Sequence, residues 1–361
     1  MLKVLTAHLR QAVCLSGEQV TEAVTQLIDQ AISTETKAEF LTALAVKGET
    51  AEEITAFARE LRARSVRPPL DAETRARVIL DVCGTGGDRL NTFNISTTVA
   101  LVAAAAGVTV AKHGNRAVTS QSGSADVLEE LRIPIQLSPE RAAHSLREHG
   151  FAFFFAPDYH PAFKHIGPAR KLCAQRGQRT LFNFLGPLLN PAQPSAQLIG
   201  VPSAHLCETM ARVLQSLGVR RGMVVSGKVE SEVRNKTSED GSERAESVLD
   251  ELSTLGETCV AEFYQDHGFT SSTMSPHHFP LQRANLADLA GGDRRTNAQI
   301  VLRLLRGEER GPKRDAVLLN AGAALFVAGR TKSVMEGWDL AGELIDSGKA
   351  YTKLESLSGS F

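Results

Sequence analysis

Two short stretches of this chain combine residue types suited to holding anions. The first, Asp81-Val82-Cys83-Gly84-Thr85-Gly86-Gly87-Asp88, follows an apolar run and leads to Asn94-Ile95-Ser96-Thr97, where an alanine-rich helical pattern begins. Glycines let backbone N–H groups approach an anion closely, and a helix N-terminus adds about half a positive charge directed at it. That combination makes a phosphate cradle. The third glycine of a G-x-G-x-x-G fingerprint is missing and no Gly-Lys-Ser/Thr is present, so neither a Rossmann nor a P-loop nucleotide site is indicated. The second stretch, Lys112-His113-Gly114-Asn115-Arg116-Ala117-Val118-Thr119-Ser120, continues through Ser122, Gly123, Ser124 and Asp126. Its cations, amide and hydroxyls suit a second phosphate group. For His113 taken alone, a structural hydrogen bond is the expectation, not proton transfer.

Both stretches need strands to end where they begin, because ligands bind beyond the carboxyl ends of strands in open α/β sheets. Apolar runs predict strands at Val78 to Val82, Val108 to Ala111, Phe151 to Phe155, Gln197 to Val201, Met223 to Val225 and Thr258 to Phe263. Helical spacing falls between them, near Thr97 to Ala106, Ala125 to Leu131, Pro139 to His149 and Ala204 to Leu217, with Ser138 and Ser203 as expected N-caps. Two more helices are expected at Ala298 to Leu305 and Pro312 to Ala328. This alternation predicts a mostly parallel central sheet flanked by helices. Before Pro69 the pattern is helical throughout. Ser16 with Gln19 and Thr50 with Glu53 form capping boxes, and Gly48 stands at a helix end. Residues 1–70 are therefore expected as a small helical domain, and 71–361 as an α/β domain. Within the latter, residues 228–248 are expected as a solvated loop, since ten of those twenty-one residues are charged.

Composition narrows the partners. The chain has 361 residues, 40 Lys plus Arg against 41 Asp plus Glu, and a pI near 6.8, so it lacks the charge excess that holds nucleic acid. Val99 to Val108, the most apolar stretch, is far shorter than the roughly 20 residues a membrane helix requires. No membrane association is expected. Cys14, Cys83, Cys173, Cys207 and Cys259 are widely spaced without a Cys-x-x-Cys pair, and the first residues form no secretory leader, which together predict a cytoplasmic protein.

The two anion-binding stretches, together with Ser122-Gly123-Ser124-Ala125-Asp126, His160-Pro161-Ala162-Phe163-Lys164-His165 through Arg170, Asn183-Phe184-Leu185-Gly186-Pro187-Leu188 and Asn190-Pro191, resemble the motifs of the anthranilate phosphoribosyltransferases in the same order. The resemblance covers nearly the whole chain. It implies a fold like that of the nucleoside phosphorylases and phosphoribosyltransferases, with a helical contribution to the small domain from about 160–180. It also implies a homodimer and the second step of tryptophan biosynthesis: transfer of the phosphoribosyl group from phosphoribosyl pyrophosphate (PRPP) to anthranilate. By motif position, PRPP would contact Gly84, Gly87, Asp88, Thr92, Asn94, Ile95, Ser96, Thr97, Lys112, His113, Gly114, Asn115, Arg116, Ala117, Val118, Thr119, Ser120 and Ser124. Anthranilate would lie near Gly84, Asn115 and Arg170, and Mg²⁺ near Ser96, Asp250 and Glu251. The family's Val-Val-His-Gly reads Val224-Val225-Ser226-Gly227 here, so any role of that imidazole is absent. The charged insertion also supplies a second acidic dipeptide, Glu239-Asp240; the apolar and Ser/Thr flanks of Asp250-Glu251 favour the latter.

The chemistry is consistent with these residue types. Breaking a C–O bond at an anomeric carbon builds positive charge on the ribose and negative charge on the departing pyrophosphate. Hard carboxylate oxygens, backbone N–H groups and Lys112 suit that leaving group and its cation, and Arg170 suits an acceptor carboxylate. The neutral arylamine mainly needs positioning, and no general base is assigned. A nucleoside phosphorylase is the nearest enzymatic alternative, set aside on Arg170 in its His160-Pro161 context and on Asn94-Ile95-Ser96-Thr97. A non-catalytic nucleic-acid-binding relative is disfavoured by the balanced charge.

Overall fold

The computed structural model describes residues 1–88, 90–117, 121–230, 247–265 and 268–359. Four helices open the chain, α1 (Leu2–Arg10), α2 (Gly17–Ile28), α3 (Thr34–Lys47) and α4 (Ala51–Ala63). Both expected capping boxes form, Ser16 with Gln19 and Thr50 with Glu53, and Gly48 ends α3 at φ +84°. Glu53 has a further task. Its buried carboxylate accepts from the Leu15 and Thr50 N–H groups and pairs with Lys47 at 2.6 Å, tying three helices together. Each short helix buries one apolar stripe in a shared core that also takes Ile166, Ala169 and Cys173 from the helix Phe163–Gln175.

The sheet contains β1 (Ile79–Gly84), β2 (Thr109–Gly114), β3 (Phe151–Phe155), β4 (Ala196–Gly200), β5 (Arg221–Lys228), β6 (Val248–Leu249), β7 (Thr258–Tyr264) and β8 (Gly268–Met274). Their order is β3-β2-β1-β4-β5-β7-β8, with β6 paired to β5. The first five strands are parallel, whereas β6, β7 and β8 pair antiparallel. Every residue of β3 and β4 is buried, as expected of parallel strands covered on both faces.

Two strands were not expected. Gly268–Met274 is a polar edge strand, mostly exposed, and lacks the apolar run that marks the others. Val248–Leu249 is too short to show a period. It corrects the view of residues 228–248 as a loop throughout: Lys228 completes β5, and the Val229 N–H donates to Ser247 O, so both ends of the segment are paired. Residues 231–246 lie outside those described. Ser203 is not the expected cap, because the helix begins after Ala204 and the Ser203 hydroxyl meets His205 Nδ1 instead. Two further C-terminal helices, Val334–Asp346 and Lys349–Ser358, follow the pair that was expected; Trp338, Ala341 and Ile345 carry the stripe of the first.

Candidate active site

Three parallel strands, β1, β2 and β4, end in glycine at Gly84, Gly114 and Gly200, and the first and last of these are partners in register. What lies above them explains the residue. A Cβ on Gly84 would stand 2.5 Å from Asp250 Oδ2, and one on Gly200 would stand 1.5 Å from Asp250 O. On β5, a Cβ on Gly227 would meet Glu251 O at 2.6 Å. The Asp250-Glu251 segment therefore lies directly across the strand ends, on a floor kept clear of side chains. Sequence reading picked out Gly84 as a ligand contact but gave no role to Gly200 or Gly227.

Both carboxylates use the anion-binding groups read from the sequence. Gly86 N–H donates to Asp250 Oδ2 at 2.6 Å, and the Ser96 N–H, in the first turn of the helix Ile95–Ala105, donates to Glu251. Burial raises the pKa of Asp250, and the neighbouring Asp88 carboxyl raises it further. Glu251 is raised by burial and then by Asp250, with Lys112 opposing. Lys112 is itself buried. Its Nζ donates to Val82 O at 2.7 Å and to the Ser96 hydroxyl at 3.3 Å. Its pKa is lowered by burial.

Asp88, Asp250 and Glu251 thus gather hard carboxyl oxygens at the strand ends close to Ser96, and the raised pKa values of Asp250 and Glu251 reflect burial and a crowding that a bound cation would relieve. Among the described residues, no three acidic, histidine or cysteine side chains close into a complete metal cage. An open set of carboxylates suits Mg²⁺, which keeps water and takes substrate phosphates as further ligands. The residues present fit that ion.

Asn94 is fixed from two directions, donating to Ser122 O and accepting from Asn297 Nδ2 at 2.8 Å. Asn297, 203 residues further along the chain, was missed by sequence reading. Thr92 bridges to Ala290 on the same side of the site. Ile95 and Thr97 have buried side chains, which leaves their backbone for any ligand. In the second loop, Asp126 accepts from Gly123 N and Ala117 N, both at 2.9 Å, while Ser124 packs close against Gly114. Asn115 accepts from Arg116 N. Arg116 is turned away from the cradle, paired with Asp126 and Glu129 and lying over Phe155. Its expected phosphate contact thus requires those pairs to open. Gly87 packs near Pro202. Val118, Thr119 and Ser120 lie outside the described residues, as do Glu239 and Asp240.

Arg170 bonds neither Gly84 nor Asn115 among the described residues; its Nη2 reaches Phe182 O, and its guanidinium covers the Phe182 ring at 5.4 Å. Burial lowers its pKa. Ring contacts connect it to the end of β2: Phe182 to Phe163 at 5.5 Å, Phe163 to His160 at 5.5 Å, and His160 to His113 at 5.1 Å. His113 Nδ1 meets Gly186 O at 3.2 Å, the structural bond expected for it. Burial, with His160 beside it, pushes His113 down to about 3, and burial pushes His160 down to about 4. Behind them Asp81, fully buried, accepts from Asn190 Nδ2 at 2.9 Å and from His113 N–H; burial pushes it up to about 6.

Comparison with known proteins gives this geometry a family. The glycosyl transferase family helical bundle domain matches residues 3–65, and the glycosyl transferase family a/b domain matches residues 76–240 and 244–351. An anthranilate phosphoribosyltransferase from Alkaliphilus metalliredigens is 47% identical over 319 residues, 88% of this chain and 86% of that one. The chain belongs to the anthranilate phosphoribosyltransferase family. The crystal structure of the family member from Thermus thermophilus superposes with a TM-score of 0.83 at 41% identity, covering 98% of each chain. The Saccharomyces cerevisiae enzyme, solved in complex with PRPP and Mg, has a TM-score of 0.81 at 26% identity and 99% coverage of both chains. The family's small helical domain and mostly parallel sheet are those described above.

Two outcomes test the geometry. Gly200→Ala forces the Asp250 main chain upward, and because a displacement of about 1 Å can cost on the order of 100-fold in rate, turnover should fall at least that far. Circular dichroism should remain native; unchanged turnover would mean the floor does not set the carboxylates. The second concerns acid stability. His113 and His160 titrate lower in the folded chain than the ordinary 6.5, so between pH 6.5 and about 4 the unfolded chain takes up protons that the folded one refuses. Stability falls as the pH drops through that window. Asp81, raised to about 6, acts oppositely, its ionisation costing stability as pH rises from 3.8 to 6. In His160→Asn, urea melts from pH 7 to 4.5 should show a shallower loss of stability than wild type; an equal slope would contradict a neutral, buried His160.

Proposed function

We propose that this cleft transfers the phosphoribosyl group of PRPP to the amino group of anthranilate, giving N-(5-phosphoribosyl)anthranilate and pyrophosphate in tryptophan biosynthesis. The observation that carries the reading is the juxtaposition of Asp250-Glu251 with the Gly86 and Ser96 N–H groups at the strand ends. The yeast relative was solved with PRPP and Mg and, separately, with 4-fluoroanthranilate.

The PRPP pyrophosphate is assigned to the backbone of Gly84 to Asp88 and Asn94 to Thr97, and its ribose phosphate to the loop from Lys112 through Ser124. Lys112 holds the Ser96 hydroxyl in place and adds positive charge behind the leaving group. Asp250, Glu251 and Ser96 would hold Mg²⁺, whose contribution is to neutralise charge on the departing pyrophosphate. As the C–O bond breaks, negative charge therefore moves toward preorganised N–H dipoles, which need little rearrangement. His113 and His160, both uncharged near neutral pH, keep further positive charge away from the ribose. Arg170 is assigned to the anthranilate carboxylate, with its approach past Gly84 and Asn115; the neutral amine forms the C–N bond as the C–O bond breaks, and its surplus proton passes to the released pyrophosphate or to water without a base supplied by the chain.

Residues 1–70 with the helix from about 160–180 are assigned to one domain, and 71–361 to the other. A homodimer through the helical domain accounts for its exposed apolar side chains: Met1 and Val4 at α1, Val13 just beyond it, and Val46 near the end of α3, 75% exposed. Five free cysteines favour a reducing, cytoplasmic setting. No helix among the described residues is long and apolar enough to cross a membrane.

Purified protein with PRPP, Mg²⁺ and anthranilate should consume anthranilate fluorescence and release pyrophosphate; absence of both products would refute the activity. Arg170→Ala should raise the KM for anthranilate roughly 10- to 100-fold, the equivalent of losing a charge-assisted hydrogen bond of about 1.5–3 kcal/mol, while the KM for PRPP changes little. Equal loss for both substrates would remove Arg170 from the acceptor site. In sedimentation equilibrium the wild type should run at twice the 38.8 kDa chain mass and the Val4→Glu, Val46→Glu variant at that mass itself; a monomeric wild type would refute the dimer.

A further inference from the structure

A polar cavity lies below the sheet, at the end away from Gly84 and Asp250. Its volume is about 320 Å³, and Arg59 and Arg62 of α4, Arg67 of the following linker, Gln193-Pro194 and Gly218 contribute to its wall. Gln193 and Pro194 precede β4, and Gly218 precedes β5, so the cavity sits at the N-terminal ends of strands whose C-terminal ends face the cleft. None of its lining residues is among those assigned to PRPP, anthranilate or Mg²⁺, although the charge of Arg62 reaches His113 and His160.

The charge balance of this cavity is unusual for the chain. Three arginines line it and no acidic residue does. Several other arginines of the chain are paired: Arg64 with Glu60, Arg77 with Glu73, and Arg147 with Asp71. By contrast, Arg59 and Arg67 form no ion pair among the described residues; Arg59 donates only to Ser216 O. Arg62 is buried. Its Nε donates to Leu188 O, while its Nη2, closed off from solvent, has no hydrogen-bond partner, so Arg62 acts on the cavity through its charge. The carboxylate that attracts Arg62 is Asp81, whose oxygens are already engaged by Asn190 and the His113 N–H. Arg75 stands close enough to feel the positive charge of Arg67, which adds to the local repulsion.

Arg59 and Arg67 are exposed and Arg62 is buried beneath them, and the mutual repulsion of three guanidinium groups with no carboxylate among them is relieved by an external anion. The planar N–H fork of arginine matches the oxygens of phosphate, and a doubly charged anion offsets the cluster better than a single carboxylate. We propose that this cavity binds a phosphate group, either the free ion or that of a small phosphate ester, between Arg59 and Arg67 with Arg62 at its base. The volume leaves room for a small organic body beside the phosphate. Because its wall joins α4 and the linker to the feet of β4 and β5, an occupant braces the helical bundle against the sheet.

The test compares melting temperatures of wild type and Arg59→Gln, Arg67→Gln in inorganic phosphate, in glycerol 3-phosphate, and in sodium chloride at matched ionic strength. Phosphate entering the proposed active site stabilises both proteins alike, so the difference between them reads the arginine cavity. In sodium chloride the variant should melt at the wild-type temperature or above, with wild-type turnover of PRPP and anthranilate. In phosphate its rise should be less than half that of wild type. A difference seen with glycerol 3-phosphate as well identifies an ester site; one confined to inorganic phosphate identifies the free ion. Equal rises in both proteins with both anions would overturn the proposal. Should the double variant fail to fold, Arg67→Gln alone, at an exposed position, carries the same comparison.

Discussion

The arrangement depends on keeping two adjacent carboxylates, Asp250 and Glu251, out of water beside a third, Asp88. Isolated buried charge is expensive, and three like charges repel, so the surroundings must supply compensation from fixed positions. Gly86 N–H and the first turn of Ile95–Ala105 supply it from the backbone, and Lys112 supplies it from a neighbouring strand. The parallel sheet brings these donors to one edge. Three glycines then allow the acidic peptide to approach that edge at contact distance. Changing any of these features leaves negative charge without its compensation, which is why the glycine loop, the helix start, the buried lysine and the acidic pair form one device despite their separation in the chain.

Much of this was legible in the residues. The glycine loop, the polar start of the alanine-rich helix and the Lys112 cluster carry local chemical signals, and the five parallel strands show as apolar runs. The acidic pair was placed across the insertion by its flanks; in the structure it lies against Gly86 and Ser96. Gly200 and Gly227 were not legible, because their need arises only when another segment lies on top of them. Asn297 holds Asn94 from a distant helix, a pairing that no local pattern can reveal. The strand Gly268–Met274 was missed because an edge strand needs one neighbour and no buried face, so its polar sequence resembles a loop. Arg116 was read from its charge and its motif position, neither of which shows the competing carboxylates on the adjoining helix.

Asp81 and Asn190 show a different economy. One buried side-chain amide donates to Asp81 on β1 and to Ala111 O on β2, while Asp81 also takes the His113 N–H. The strands that end in the two anion loops are therefore cross-linked by side chains below the loops as well as by their own ladder. That fixes the spacing between the loops, and a ligand that must touch both meets a gap already set.

The paired ends of the charged insertion have a consequence for how this chain can change length. Lys228 and Val248 pair across β5 and β6, and the Val229 N–H closes on Ser247 O, so a ladder seals the segment before it leaves the sheet. Chain beyond a sealed stem is tethered at both ends at nearly constant separation, and doubling its length adds only about 0.6 kcal/mol of closure entropy. The stem thus acts as a socket. A foreign peptide, an affinity epitope or a small fluorescent module could be spliced between residues 230 and 247 without shifting the acidic pair that begins three residues further on.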